Sequence, residues 1–182
     1  MKTKLSWITL LLLLGVGISS ILLTSCEKLK EATTFKFKVD LPDGRYSIDA
    51  TSFLKTEKVL FSQSSSINID SIVGTRNGLL ESISFYKLRF SIAAPETAIL
   101  NWLDSARVMV TSDGETPIEI ATSPTINATD SSIDFLVKDV DVLSILKKPF
   151  ILTIYGNLNG NIPTLPMDLK LESGIEITLS PL

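Results

Sequence analysis

The chain has 182 residues, 20 acidic and 17 basic, and its formal net charge of −3 lacks the basic footprint that a nucleic-acid binder needs. It has no histidine and one cysteine. That excludes Ser–His and Cys–His nucleophile pairs, histidine proton shuttles, histidine-bearing zinc or iron sites and a disulfide framework. The fold must stand on its apolar core; no cofactor is expected, and no metal site is assigned, since any metal would have to be a hard cation held by oxygen.

Lys2 and Lys4 precede an apolar run from Leu5 to Leu23 with an unbroken leucine core, Leu10–Leu14. A basic start, an apolar middle and small residues at the end make a signal peptide. Leu23-Thr24-Ser25-Cys26 resembles the bacterial lipobox, in which a branched apolar residue and two small ones precede a cysteine. The resemblance covers only this N-terminal window. It implies that residues 1–25 are a lipoprotein signal peptide, that Cys26 receives a diacylglycerol thioether and usually an N-acyl chain, and that the mature protein reaches the membrane through Cys26. Two or more chains anchor stably where one is marginal. Removal of Lys2 and Lys4 takes the net charge from −3 to −5. In the resembled lipoproteins an aspartate after the cysteine favours inner-membrane retention. Glu27 stands there instead, which points to the outer membrane, with the domain facing the periplasm or the surface. Two alternatives are an uncleaved anchor helix, since the run nearly reaches the ~18–20 residues that span a bilayer, and a buried structural cysteine.

Residues 26–34 form a polar tether, and residues 35–182 are expected to be one domain. From Phe35 the period is two: Phe35, Phe37, Val39 and Leu41 alternate with Lys36, Lys38 and Asp40, a half-buried strand. Pro42-Asp43-Gly44 is a turn; 45–50 and 58–63 read as further strands. Ile69, Ile72 and Val73 have helical spacing, a short helix or turn across one end of the sheets. Leu80 to Ile92 is apolar on both faces near Ile83–Tyr86, a long and central strand that ends at Ala94-Pro95.

Glu96 to Trp102 is read as one helical turn. Ala106, Val108 and Val110 lead through Asp113-Gly114, a strong hairpin signal, to Ile118 and Ile120. Ile133, Phe135 and Val137 make one strand, and Val140 to Leu146 a helical turn stopped by Lys147-Lys148-Pro149. Phe150, Leu152 and Ile154 make another strand, with Tyr155 on its other face. Gly156 to Pro166 is expected to be the longest loop. Residues 167–179 keep one parity through Met167, Leu169, Leu171, Ile175, Ile177 and Leu179, either as one long strand or as a hairpin with a three-residue loop at Glu172-Ser173-Gly174. The sum is an all-β, antiparallel β-sandwich, Ig-like in architecture, of roughly eight strands with one or two short helical turns after an N-terminal signal helix.

Chemistry is sparse. Asp139 and Asp141 would share a face if they lay on a strand, as glycosidase carboxylates or a calcium site require, yet a solvated face explains them as well. Asn127, Asp130 and Asp134 are explained by loop chemistry, and Asp113 and Glu115 by the hairpin. No Gly-x-Ser-x-Gly elbow or phosphate loop occurs, and Gly156 to Gly160 lacks the lysine and helix that phosphate binding needs. Trp102 and Tyr155, with Tyr86 as a possible flank, are the candidate sugar-reading aromatics; the alternative for Trp102 is a cap on the open end of the sandwich. Asp70-Ser71-Ile72 and Asp104-Ser105-Ala106 resemble a short periplasmic O-glycosylation signal. The expectation is a non-catalytic envelope lipoprotein whose sandwich serves as a binding or structural module for an envelope protein or a glycan. The alternatives are a carrier of a lipid or apolar ligand between the sheets and a carboxylate-based carbohydrate-active enzyme.

Overall fold

The computed structural model describes residues 34–48, 57–74, 79–161 and 166–180. The signal peptide, the lipobox residues Leu23, Thr24 and Ser25, Cys26 and the tether as far as Thr33 lie outside the described residues. The elements in chain order are β1 (Phe35–Asp40), β2 (Gly44–Ile48), β3 (Glu57–Ser65), α1 (Ile69–Val73), β4 (Leu79–Ala94), β5 (Leu103–Ser112), β6 (Ile118–Thr122), β7 (Ser132–Asp134), β8 (Leu136–Val137), α2 (Leu143–Leu146), β9 (Phe150–Leu158) and β10 (Met167–Ser180). They form a β-sandwich of two five-stranded antiparallel sheets. In the first, β10 pairs with β4 along one side and with β1 and β2 in tandem along the other, and β7 extends the sheet beyond β4. The second runs β3-β9-β5-β6-β8.

The parity of 167–179 reads out directly. Met167, Leu169, Leu171, Ile175, Ile177 and Leu179 are all buried on one face of a single 14-residue strand. The hairpin alternative is thereby removed: β4 pairs with β10 along its whole length, from Ala94↔Asp168 to Leu79↔Ser180, with register shifts at three points. Residue 174 tolerates this only because it is glycine. Tyr86 is the extra residue of a bulge in β4 there, and its ring lies over Gly174, where a Cβ would come within 2.5 Å of the ring edge. An aromatic ring laid over a strand glycine replaces the packing that the glycine lacks.

Four local expectations are corrected. Ile133, Phe135 and Val137 do not share a strand: β7 pairs with β4 of the first sheet, and β8 pairs with β6 of the second. Both inner faces bury apolar residues in one core, so the alternation survives while the chain changes sheets at buried Phe135, whose N–H donates to the Leu88 carbonyl at 2.9 Å. Residues 96–102 make turns rather than a helical turn, closed by Ala98 N–H to Pro95 O and Leu103 N–H to Leu100 O, both 3.0 Å. Their burial alternates through Ala98, Leu100 and Trp102, a period of two. The expected loop at Gly156 starts later, because β9 runs on to Leu158. Gly156 faces the core, where a Cβ would fall 2.4 Å from Leu60 and 2.7 Å from Leu103, so it is a close-packing glycine rather than a turn. Among the described residues the strands number ten, short edge segments such as β7 and β8 accounting for the excess over eight.

The outer face of the first sheet is a charged lattice. Lys170 on β10 bridges Asp43 and Glu172, each at 2.9 Å, and Lys87 on β4 reaches Glu172 from the other side at 3.0 Å. These two ammonium groups hold the Glu172 carboxyl at about 2, well below its ordinary value of 4.5. A depressed carboxylate stabilises the fold above its unfolded value, and that contribution fades as pH falls toward the folded value. Single surface pairs contribute little and are screened by salt.

Two outcomes are expected. Stability followed by chemical denaturation at low salt falls between about pH 5 and pH 2, and Glu172→Gln flattens that fall. Gly174→Ala costs about 1–3 kcal/mol by overpacking against Tyr86, and the same change made in a Tyr86→Ala background costs much less. Equal costs in the two backgrounds would refute the ring-over-glycine account.

Candidate binding groove on the outer face of the second sheet

Strand register aligns one row of side chains across all five strands of the second sheet. Val59 pairs with Tyr155, Tyr155 with Arg107, Arg107 with Thr122 and Thr122 with Leu136. At the strand spacing of about 4.8 Å this row is about 19 Å wide. It begins and ends on exposed apolar side chains, Val59 and Leu136. The Arg107 guanidinium lies over the Tyr155 ring, 5.3 Å from its centroid, within the range of a cation–π contact.

Beside this row the surface dips into a groove of about 290 Å³, lined among others by Ser105, Arg107, Glu119, Thr122, Tyr155 and Asn157. The backbone fixes most of these positions. Asn157 sits opposite Ser105, and its Nδ2 donates to Ser105 Oγ at 3.0 Å. At the β5–β6 edge, Ser123 Oγ accepts the Ala106 N–H at 2.9 Å. Glu119 accepts a 2.6 Å hydrogen bond from Lys138 Nζ. The groove therefore offers a guanidinium, an amide, hydroxyls, one carboxylate and the edge of an aromatic ring. Such a mixture recognises a polyhydroxylated ligand by hydrogen bonds and ring contact. The volume is at the small end for a ligand site, where ~300 Å³ is typical of the least roomy.

The two aromatics singled out from sequence are not brought together. Tyr155 lines the groove, whereas Trp102 is fully buried in the core and offers no ring face to a ligand. Tyr86 lies on the other sheet, hydrogen-bonded to Asp40 beneath the Lys38 ammonium. The remaining candidates serve the fold. Residues 138–142 are not a strand, so Asp139 and Asp141 lack the shared strand face that paired chemistry assumed. Asp141 Oδ1 accepts the N–H groups of Ile83 and Leu143, both at 3.0 Å, tying α2 to β4. Asp130 closes its own loop by accepting the Asn127 N–H at 2.8 Å, while Asp134 pairs with Arg89 at 3.6 Å on the first sheet. Glu115 holds Lys148 at 2.8 Å beside the hairpin. Among the described residues no cluster of three or more metal-ligating side chains occurs. Ser71 is exposed on α1 and hydrogen-bonded to Asn68, and Ser105 is half-buried on the groove wall.

Arg107, Thr122, Glu119 and Asn157 were not candidates from sequence. Arg107 was readable as outward, beside inward Val108; Thr122 has the parity of Ile118 and Ile120 and turns outward through the register shift in β6, and Asn157 fell in the expected loop. What was missing was the order β9-β5-β6, which makes distant segments neighbours.

Asp141→Ala is expected to destabilise the fold by about 1–2 kcal/mol, because two backbone donors lose their acceptor at once. Asp139→Ala, measured beside it in urea, should stay within about 0.5 kcal/mol of the wild type.

No protein-family model matches the chain, and no curated protein matches it. Among solved structures it is similar to a chain of Desmodium yellow mottle tymovirus, at 14% identity over 81% of this chain and 84% of that one, with a TM-score of 0.27.

Proposed function

We propose that this chain is a non-catalytic, lipid-anchored protein of the bacterial outer membrane whose β-sandwich holds a glycan in the groove of the second sheet. The anchor half of this reading rests on Leu23-Thr24-Ser25-Cys26 behind a basic, leucine-rich start. Among the described residues no helix is long and apolar enough to cross a membrane. The single observation that carries the glycan half is Tyr155 under the Arg107 guanidinium, flanked by Asn157, Ser105, Thr122 and Glu119.

The competing readings find less support. A carbohydrate-active enzyme would place two carboxylates ~5–9.5 Å apart across a cleft, and Glu119 is the one carboxylate among the groove-lining side chains. A carrier of an apolar ligand would use space between the sheets. That space is filled by Trp102, Phe61, Phe90 and Phe150, each no more than 1% exposed.

Binding of the mature protein to an array of envelope and capsular saccharides tests the groove. Tyr155→Ala and Arg107→Ala are each expected to weaken the best glycan at least tenfold, about 1.4 kcal/mol or more. Asp113→Ala, in the hairpin turn beyond the end of β5 and outside the groove lining, should bind as the wild type does. A glycan bound equally by all three variants, or no glycan bound at all, would count against this reading.

A further inference from the structure

Phe35, Leu136 and Leu79 are the most exposed large apolar side chains among the described residues, at 64%, 60% and 59%. Two of the three lie at one end of the first sheet, one on each face. Phe35 opens β1 opposite Leu179, and Leu79 opens β4 opposite Ser180, so both flank the last residues of β10 at one end of the first sheet. Two strands on either side of a third lie about 10 Å apart. The core does not need these two side chains: Leu179 between them is already 1% exposed. Phe35 leaves the sheet on the face of buried Leu179 and Leu79 on the face of Ser180, so both rims of this end hold an apolar side chain in water, at a cost that an apolar partner would remove.

The chain itself says which partner lies nearest. Cys26 is nine residues before Phe35, a reach of about 30 Å even when fully extended. An acylated Cys26 thus holds this end of the sandwich closer to the bilayer than any other part of the domain. The same end carries the exposed cation Lys147, in a depression shared with Ile67, Asn68 and Ile69 at the start of α1, and Lys36, paired with Glu176 at 3.6 Å. Acidic groups are present too: Glu115 engages Lys148, and Glu81 is exposed on β4. The contact is therefore apolar first. The groove lies toward the opposite end: Tyr155 is five residues along β9 from Phe150, roughly 17 Å further from the entry end.

We infer that Phe35 and Leu79 insert into the interfacial layer of the membrane that holds Cys26, seating the sandwich on its entry end and turning the groove outward. This rests on the lipid-anchor reading above. The docking fits a lipid surface because insertion needs no complementary shape, only exposed apolar side chains held at bilayer depth by a short leash.

The test uses the full-length protein, processed in a bacterial host and reconstituted in vesicles with lipids brominated along the acyl chain. After removal of the signal, Trp102 is the sole native tryptophan, and it is buried. A tryptophan introduced by Phe35→Trp, or separately by Leu79→Trp, should lose at least half its emission to the brominated lipid and shift to the blue. Ile99→Trp, beyond the far end of β4, should be quenched no more than the wild type. If the first two variants behave like Ile99→Trp in protein whose intact mass includes the acyl chains, the docking is wrong and the anchor stands. If the mass shows no acyl chains, the anchor reading fails and the docking falls with it.

Discussion

The inward row of β10 is the constraint on which the rest of the molecule depends. Six aliphatic side chains between Met167 and Leu179 are at most 1% exposed, and each buried side chain of this kind is worth about 1.5–3 kcal/mol relative to exposure. Because a one-residue slip would turn the whole row to solvent, register is fixed wherever another strand touches it. Three strands do so: β4 along one side, and β1 and β2 in tandem along the other. The second sheet then closes over this face with Leu60, Phe61, Val108, Val110, Phe150 and Ile154, while Ile145 and Leu146 of α2 pack between β4 and β5. The outer face of the same strand carries Lys170 and Glu172, so one strand organises both the core and the charged lattice behind it.

Much of this was legible because burial follows a period of two. Strands from Phe35, Leu80, Ala106 and Phe150 and the five-residue helix at Ile69 all follow from apolar spacing. The sequence could not choose between one strand and a hairpin at 172–174, because the three-residue hairpin would have kept the same parity. It was misleading at Phe135 and at Gly156. At Phe135 the chain crosses between sheets that share one core, and parity is blind to which sheet a residue joins. At Gly156 the glycine signals close approach to Leu60 and Leu103 rather than a turn. The groove was legible only through Tyr155. Its neighbours Arg107, Thr122 and Asn157 are ordinary outward residues until the order of the strands sets them side by side. Trp102 illustrates the opposite error, since tryptophan is as often a large core side chain as a ligand platform.

The functional picture joins two ends of one sandwich. At the entry end, the proposed anchor at Cys26 would bring Phe35 and Leu79 toward lipid. At the far end, the second sheet presents a polar groove built on a stacked arginine and tyrosine. The core between them is filled by buried apolar side chains. Function here is a property of surfaces on a common scaffold, so the sandwich by itself identifies no ligand.

The central claim is that the chain is held to a membrane through Cys26. It is met most directly by intact mass and membrane fractionation of the protein expressed in a Gram-negative host, wild type beside Cys26→Ala. The account predicts a mature chain beginning at Cys26 with added acyl mass and outer-membrane partitioning, both lost in the variant. An uncleaved chain that remains in the inner membrane whether or not Cys26 is present would contradict it.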